Sequence, residues 1–410
     1  MDMQHLEDSF LKNIIQSPLP QGLSAERQNA LLALENLKIP STKEEYWKYT
    51  HLKTLQNTLL QTPQTFAVQA QKVLKNAVFF GFVNGLCQEW PSDLPEGLVL
   101  QNILEQDAVV NDLGYAHFFD ALNSAYLSAG VKICASKAIK TPVLLHHTQA
   151  GSAHLASPRF EIVVEKNASL EILMHFESLA DAKENLSNVL SFVELGENAR
   201  LKLTILQEET GFQIHSLNAK QAKNSHLQIN VLSLDGQIVR NNLNIAVQGE
   251  NCETHQYGLF VGKNKNLVDN HSALSHLVPN CYSNQLFKGI LQDESRGVFN
   301  GRILVAKDAQ KINAFQSNAN VLLSPKAIID TKPELEIYAN DVKCSHGTTT
   351  GQIDEDALFY LRARGLDAET AQFLVLHAFV EEVLEKIENP EIMDYVSGKL
   401  AHYFGNLLDA

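Results

Sequence analysis

The sequence predicts a mainly β protein with helical segments at both ends. Three observations carry that expectation. Apolar and polar residues alternate at period two, over and over, from about residue 131 to 352. Short runs rich in Gly, Asn and Asp separate these stretches. Before residue 40 and after residue 353 the apolar spacing becomes that of one helix face.

The first forty residues read as helical. Leu6, Phe10, Leu11, Ile14 and Ile15 fall on one side of a helix, and Ser24 stands where it can cap a second one, with Leu31, Leu32 and Leu34 on its apolar face. Thr42 with Glu45 matches a capping box opening the segment KEEYWKYT. Residues from roughly 70 to 130 mix short apolar runs (VFFGFV, GLVLQNI) with one helix, HFFDALNSAYL, and read as α+β.

In the middle region Phe160, Ile162 and Val164 alternate with polar neighbours, as do Leu170, Ile172, Met174 and Phe176. The pattern returns at Leu201, Leu203 and Ile205, at Leu227, Ile229 and Val231, and at Leu243, Ile245 and Val247. The runs end in EKNAS, LGENA, LDGQ and QGENCE, which are turn compositions. So long a series of strands with almost no helix leaves a sandwich, a barrel or a β-solenoid. A sandwich of this size would be large for one domain, whereas a solenoid grows by adding coils, so a parallel β-helix is preferred. No strict repeat motif accompanies it. The end coils of a solenoid have unpaired edges, and the helical regions at the chain ends are the expected covers.

After residue 353 Asp354 caps DALFYLRAR, and Gly365 stands where a glycine would stop that helix. Asp367 caps a long helix carrying Ala371, Leu374, Ala378, Val383 and Ile387, and Asn389-Pro390 begins a third. The long helix is apolar around most of its first half, so it must be buried against neighbours or against another protein. The chain therefore divides into an N-terminal helical or α+β domain (1–130), a β-helix core (131–352) and a C-terminal helical domain (353–410).

Composition narrows the function. The 410 residues are 45% hydrophobic and 20% charged, which is ordinary for a soluble globular protein. No stretch approaches the ~18 consecutive apolar residues of a membrane span. The start, MDMQHLEDSFLKN, lacks the basic-then-apolar order of a signal peptide, so the cytoplasm is the expected compartment. A formal charge of -14 and the lack of a basic stripe argue against a nucleic-acid partner. Five cysteines, Cys87, Cys134, Cys252, Cys281 and Cys344, form no CxxC pair and suit reduced thiols. A ferredoxin-type cluster held by this chain alone would need about four suitably placed cysteines, and is excluded. GKN at 262–264 lacks the frame of a phosphate loop, and no GxGxxG or GxSxG occurs, so ATP hydrolysis would have to come from another chain.

The segment TKPELEIYANDVKCSHGTTTGQIDEDALFYLRARG (331–365) resembles the signature of the SufB/SufD family of iron–sulfur cluster assembly scaffolds. NHSALSHLVPNCYSNQLFKGIL (270–291), GVFNGRILVAKDAQKINAFQSNANVLLS (297–324) and EEYWKYTHL (44–52) are similar to that family as well. Cys-Ser-His-Gly followed by Gly351 resembles its SufD branch. The resemblance implies a right-handed parallel β-helix flanked by helical domains, acting as a non-catalytic scaffold in a SufBCD-type complex. It implies a SufB-like sister subunit met through the β-helices and a SufC-like ATPase met through the C-terminal helices, with a homodimer as the arrangement of the isolated chain. A nascent iron–sulfur cluster shared at the subunit interface is the implied cargo, and a reduced flavin in the complex is left open. Two other readings are weaker. A β-helix carbohydrate-active enzyme would need a groove of clustered carboxylates, and a structural homo-oligomer would bring no ATPase with it.

Cys344 and His346 are two apart in an alternating run and share a strand face. A thiolate and an imidazole there can both bind iron or a nascent cluster. Val342 points the same way, so Cys344 also reads as core. The resemblance gives His346 the family's position for cluster formation at the interface, with Cys344 as a second ligand. His146 and His147 are adjacent, face opposite ways on a strand, and read as surface or turn residues. Cys252, His255, His276 and Cys281 have no zinc spacing and read as packing residues. Asp354, Glu355 and Asp356 read as helix-start charges.

Overall fold

The computed structural model describes residues 19–20, 22–63, 66–105 and 117–408. The helix expected over Leu6–Ile15 lies outside the described residues. The chain enters two sheets through β1 (Val78–Val83), β2 (Leu86–Glu89), β3 (Leu98–Asn102), β4 (Ala129–Ala135), β5 (Val143–Gln149) and β6 (Leu155–Ala156). It continues through β7 (Pro158–Val164), β8 (Ser169–Ser178), β9 (Leu186–Leu195), β10 (Arg200–Glu208), β11 (Phe212–Gln221), β12 (His226–Ser233) and β13 (Ile238–Val247). The last coils hold β14 (Glu253–Gly262), β15 (Leu267–His276), β16 (Tyr282–Leu291), β17 (Arg296–Val305), β18 (Ile312–Leu322), β19 (Ile328–Ile337) and β20 (Val342–Gly351).

From β7 onward successive strands alternate between the sheets. Sheet A runs β19-β17-β15-β13-β11-β9-β7-β4-β3, and sheet B runs β2-β1-β5-β8-β10-β12-β14-β16-β18-β20. Only the β1–β2 and β3–β4 pairs at the start of the sheets are antiparallel; the long strands all pair in parallel. This is a parallel β-helix, flattened so that each coil gives one long strand to each sheet. In sheet B the residues Ser169, Arg200, His226, Glu253, Tyr282, Asn313 and Lys343 lie in a single file, one per coil.

The alternating apolar residues fill the space between the sheets. Phe160, Ile172, Met174, Leu203, Ile229, Leu243 and Ile303 belong to this continuous core. Size is matched from coil to coil. Gly258 lies beside Phe287, and Phe260 beside Gly289, so each ring occupies the space a neighbour lacks. A Cβ on Gly258 would come within 2.1 Å of the Phe287 ring.

The turns repeat as well. Asn167, Asn198, Asn224 and Asn251 all adopt left-handed backbone, with φ between 58° and 62°. Asparagine tolerates that conformation better than most residues because its short side chain finds local partners. Here the partners are each other. The Asn198 amide donates to Asn167 Oδ1 at 2.8 Å, Asn224 to Asn198 at 2.9 Å, and Asn251 to Asn224 at 3.2 Å.

The two outer faces are covered by the ends of the chain. Helices α1 (Ser24–Asn36), α2 (Lys53–Gln56) and α3 (Phe118–Ala125) lie over sheet A, where Ala30, Leu34, Leu55, Phe118 and Leu122 pack with Phe212, Ile238 and Val298. Arg240 fastens this layer: its guanidinium pairs with Asp269 at 2.7 Å and stacks 3.7 Å from the Trp47 ring centre. His271 and Arg240 hold the buried Asp269 carboxyl at about 2, against the opposing cost of burial.

The chain then forms α4 (Glu355–Ala363), which packs on α5 (Ala368–Leu384), and α5 and α6 (Pro390–Leu408) lie over sheet B. Leu376, Val380, Val383, Leu384, Ile392, Val396 and Phe404 pack on Leu144, Leu173, Leu206, Leu232, Leu259 and Ile290. The capping aspartates act as the sequence indicated. Asp354 accepts from the Ala357 N–H at 2.9 Å and Asp367 from that of Thr370 at 2.7 Å, while Gly365 stops α4 at φ 95°.

Several local expectations are corrected. The helices cover the faces of the β-helix, because there each strand presents a row of large apolar residues, and they leave the last coil's edges open. The apolar helix α5 spends its apolar face on sheet B, while Leu374 and Ala378 face outward. Leu23, with φ 51°, occupies the cap position before α1 in place of Ser24, and Leu32 points to solvent. The capping interaction near residue 42 is displaced by one position, with the Ser41 N–H donating to Glu44 Oε1 at 2.9 Å. His146 and His147 are buried, since the outer face of β5 lies under α6 and its inner face is core.

The Gly258–Phe287 fit gives a test of coil packing. Gly258→Ala should destabilise the chain by about 1–3 kcal/mol through overpacking. Equilibrium urea unfolding measures this, and an unchanged midpoint would show that the interior yields at that layer.

Candidate functional site: the open end of the β-helix

The last coil has no successor. Strand β19 is the terminal strand of sheet A and β20 that of sheet B. Among the described residues, each therefore carries one row of backbone N–H and C=O groups with no strand beside it. The two edges differ in side chains. On β19 Lys332 pairs with Glu45 at 2.8 Å and with Glu334 at 3.0 Å, and Arg302 of β17 grips Glu336 through two bonds of 2.7 Å. Charges of this kind blunt an edge. Beyond Lys343, β20 reads Cys-Ser-His-Gly-Thr-Thr-Thr-Gly and carries no charged carboxylate or ammonium. From Ser345 to Gly351 every residue is exposed.

Register places the two expected ligands. Gln256, Gln285, Gln316 and His346 form one inward-facing column across β14, β16, β18 and β20. The three glutamines are buried, and only His346 stands in the open. Gln316 donates to Gln285 Oε1 at 2.6 Å, and the Gln285 amide nitrogen donates to Ser272 Oγ at 3.1 Å. The Gln316 Oε1 directly beneath His346 is buried without a hydrogen-bond partner among the described residues. The neighbouring column is Thr254, Ser283, Ala314 and Cys344. Cys344 is half-buried against the core, beside Val342. Burial raises its thiol above the ordinary range, partly offset by a hydrogen bond to the Ala314 backbone.

The opposite strand completes the layer. Ile329, Thr331, Pro333, Leu335 and Ile337 continue the inward rows of β17 and are only half-covered or exposed. The open end is thus a slice through the core, with one charged edge, one uncharged polar edge, one thiol and one imidazole. Both groups are suitable ligands for iron. Two ligands do not complete the set of about four that a cluster takes.

Residues 146–379 match the family model described as SUF system FeS cluster assembly, SufBD core domain. The chain belongs to the SufB/SufD family. It is 30% identical over 390 residues to the iron–sulfur cluster assembly protein SufD of Escherichia coli, covering 92% of each chain. It is 31% identical over 417 residues to the iron–sulfur cluster assembly SufBD family protein slr0076 of Synechocystis, covering 93% of this chain and 88% of that one. The chloroplastic protein ABCI7 of Arabidopsis thaliana is 28% identical over 428 residues, with 95% and 87% covered. Iron–sulfur cluster assembly is therefore the process this chain serves. No helix among the described residues is long and apolar enough to cross a membrane.

The other histidines and cysteines of this SufB/SufD chain fall elsewhere. His147 faces inward and bonds Glu209 at 2.8 Å, and His276 bonds Ser283 at 2.9 Å. Cys252 and Cys281 are buried in consecutive coils, with the Sγ of Cys252 3.0 Å from the Ala222 carbonyl. His255 stacks on Tyr257. None of these reaches the open end. His146, by contrast, meets His175 and Glu177 on the outer face of sheet B. These residues are 29 and 31 positions apart from it in sequence, and only the coil register brings them together.

The raised Cys344 thiol predicts its reactivity. Alkylation by iodoacetamide, followed at Cys344 by peptide mass spectrometry, should still be accelerating above about pH 9, where an ordinary thiol of pKa ~8.5 is levelling off. A plateau reached below pH 8.5 would show a thiolate already favoured in the isolated chain.

Proposed function

We propose that the chain is a non-catalytic scaffold subunit of a SufBCD-type complex. Its open β-helix end seats against a SufB-like subunit, where His346, with Cys344 as second ligand, helps hold the nascent cluster. The observation that carries this reading is the uncapped last coil. It offers two strand edges for augmentation by another β-helix, and it places an exposed imidazole at the end of a buried polar column. The same edges account for a homodimer when no sister subunit is present.

The C-terminal helices are the proposed contact for a SufC-like ATPase. Helix α4 has no buried residue, and it exposes the adjacent Phe359 (74%) and Tyr360 (57%); Leu374 of α5 is exposed as well. Exposed aromatics in a cluster are characteristic of interaction surfaces. Because α5 and α6 are anchored on sheet B, force applied to them would reach the β-helix directly. Lys288 of β16 bonds the Phe379 carbonyl and Glu382, each at 2.7 Å, and Asn389 bonds Glu171 of β8 at 2.9 Å.

The test is co-expression with SufB-like and SufC-like partners. His346→Ala should lower iron and sulfide content while the three chains still co-purify, with stability changed by less than about 0.5 kcal/mol, as expected for an exposed residue. Phe359→Ser with Tyr360→Ser should release the ATPase and keep the sister subunit. Full cluster content in the first variant would remove His346 from the site, and a large fall in melting temperature would make its role structural. Point substitutions are the cleaner probe, because removing 354–410 would bare Leu144, Leu173, Leu206 and Ile290.

A further inference from the structure

A second set of potential metal ligands lies far from the open end, between sheet B and α6. His146 of β5 and His175 of β8 are neighbours in register, and their rings stack 4.8 Å apart at 11°. Both side chains are fully buried. Glu177 follows on the same face of β8. His146 Nε2 lies 3.1 Å from Glu177 Oε1, yet among the described residues neither ring nitrogen of His146 has a partner in hydrogen-bond geometry. His175 Nε2 lies 2.8 Å from Glu208 Oε2, and its Nδ1 lies 3.1 Å from the Tyr395 hydroxyl.

We infer that His146, His175 and Glu177 form a binding site for one divalent transition-metal ion of the Zn2+ or Fe2+ class. Two imidazoles and a carboxylate are a ligand set for such ions, with Fe2+ and Zn2+ both served. The ligand atoms of the three residues lie within 4.8 Å of one another. Metal–nitrogen bonds of about 2.0–2.1 Å put ligand atoms around a tetrahedral ion roughly 3.3 Å apart. His146 and Glu177 already meet that spacing at 3.1 Å, and His175 Nε2, 4.0 Å from Glu177 Oε2, has to draw in to close the site. Tyr395 holds the Nδ1 of His175 and so fixes the imidazole with Nε2 turned toward Glu177 and Glu208. Glu208 stands ready as a fourth ligand.

A cation already neutralises the two carboxylates. Lys399 of α6 lies 3.3 Å from Glu177 and 3.0 Å from Glu208. An incoming ion therefore competes with this ammonium, and the metal is linked to how α6 sits on sheet B. This gives the proposal a signature that adventitious histidine binding lacks.

The test uses the full chain, stripped by chelator, with Zn2+ in competition against a chromophoric chelator and Fe2+ measured anaerobically. One equivalent should bind. His146→Ala and Glu177→Gln should each weaken binding by about 100-fold or more, beyond the roughly 10–100-fold lost when only a residue behind a ligand is changed. Lys399→Gln should tighten it by about tenfold, through loss of a competing charge. His346→Ala with Cys344→Ser should leave it unchanged, which separates this site from the cluster ligands. Metal-free melting curves show whether each variant folds, and His146→Gln replaces His146→Ala if that one does not. Tighter Zn2+ or tighter Fe2+ binding names the ion. No stoichiometric binding of either ion by wild type and Lys399→Gln, binding indifferent to both ligand substitutions, or an unchanged affinity in Lys399→Gln would overturn the proposal.

Discussion

In-register stacking of parallel coils is the constraint on which the rest of this molecule depends. A coil cannot satisfy its own strand edges, so each one is paired by the coil before it and the coil after it. Strict register turns every position into a column. Apolar columns make the core, the Asn167–Asn251 column secures the turns, and the Gln256–Gln285–Gln316 column runs as a polar seam through the interior. Such stacking has no internal stopping rule, and it ends only where the chain departs. After β20 the chain leaves for the helices on sheet B, and the last coil keeps its edges and its half-buried layer.

The covering layers follow from the same geometry. Strands that face a core on one side present their other side chains outward, and on both sheets those rows are too apolar for water. The N-terminal segment closes sheet A through Trp47, Arg240 and Asp269, and α5 and α6 close sheet B. Both faces are thereby used up within the chain. Among the described residues, the open end and the aromatics of α4 stay exposed.

Much of this was legible in the sequence, and the reason is physical. Period-two alternation reports one buried face, so Leu201, Leu203 and Ile205 or Leu227, Ile229 and Val231 are core as their spacing indicated. The caps at Asp354 and Asp367 and the stop at Gly365 are local signals, and local signals survive folding. Cys344 and His346 share a face because they are two apart. What could not be read was register between coils. Without it the buried histidines at 146 and 147 look like turn residues, and nothing ties His146 to His175. The loss of alternation at Leu374 and Ala378 has a similar cause, since an apolar helix does not declare which face meets the sheet. Nor could spacing reveal that the terminal helices would lie on faces and leave the end bare, because that depends on how apolar each outer row is across many coils.

The central claim is that the bare coil end is a surface for another β-helix. Amide hydrogen exchange measures it most directly, because unpaired edge amides exchange fast and paired ones do not. Exchange over residues 328–351 should be rapid in the isolated chain held dilute enough to be monomeric. In complex with the SufB-like subunit the same amides should become strongly protected, while those of α4 should not change. Equal exchange at 328–351 with and without that subunit would contradict the account.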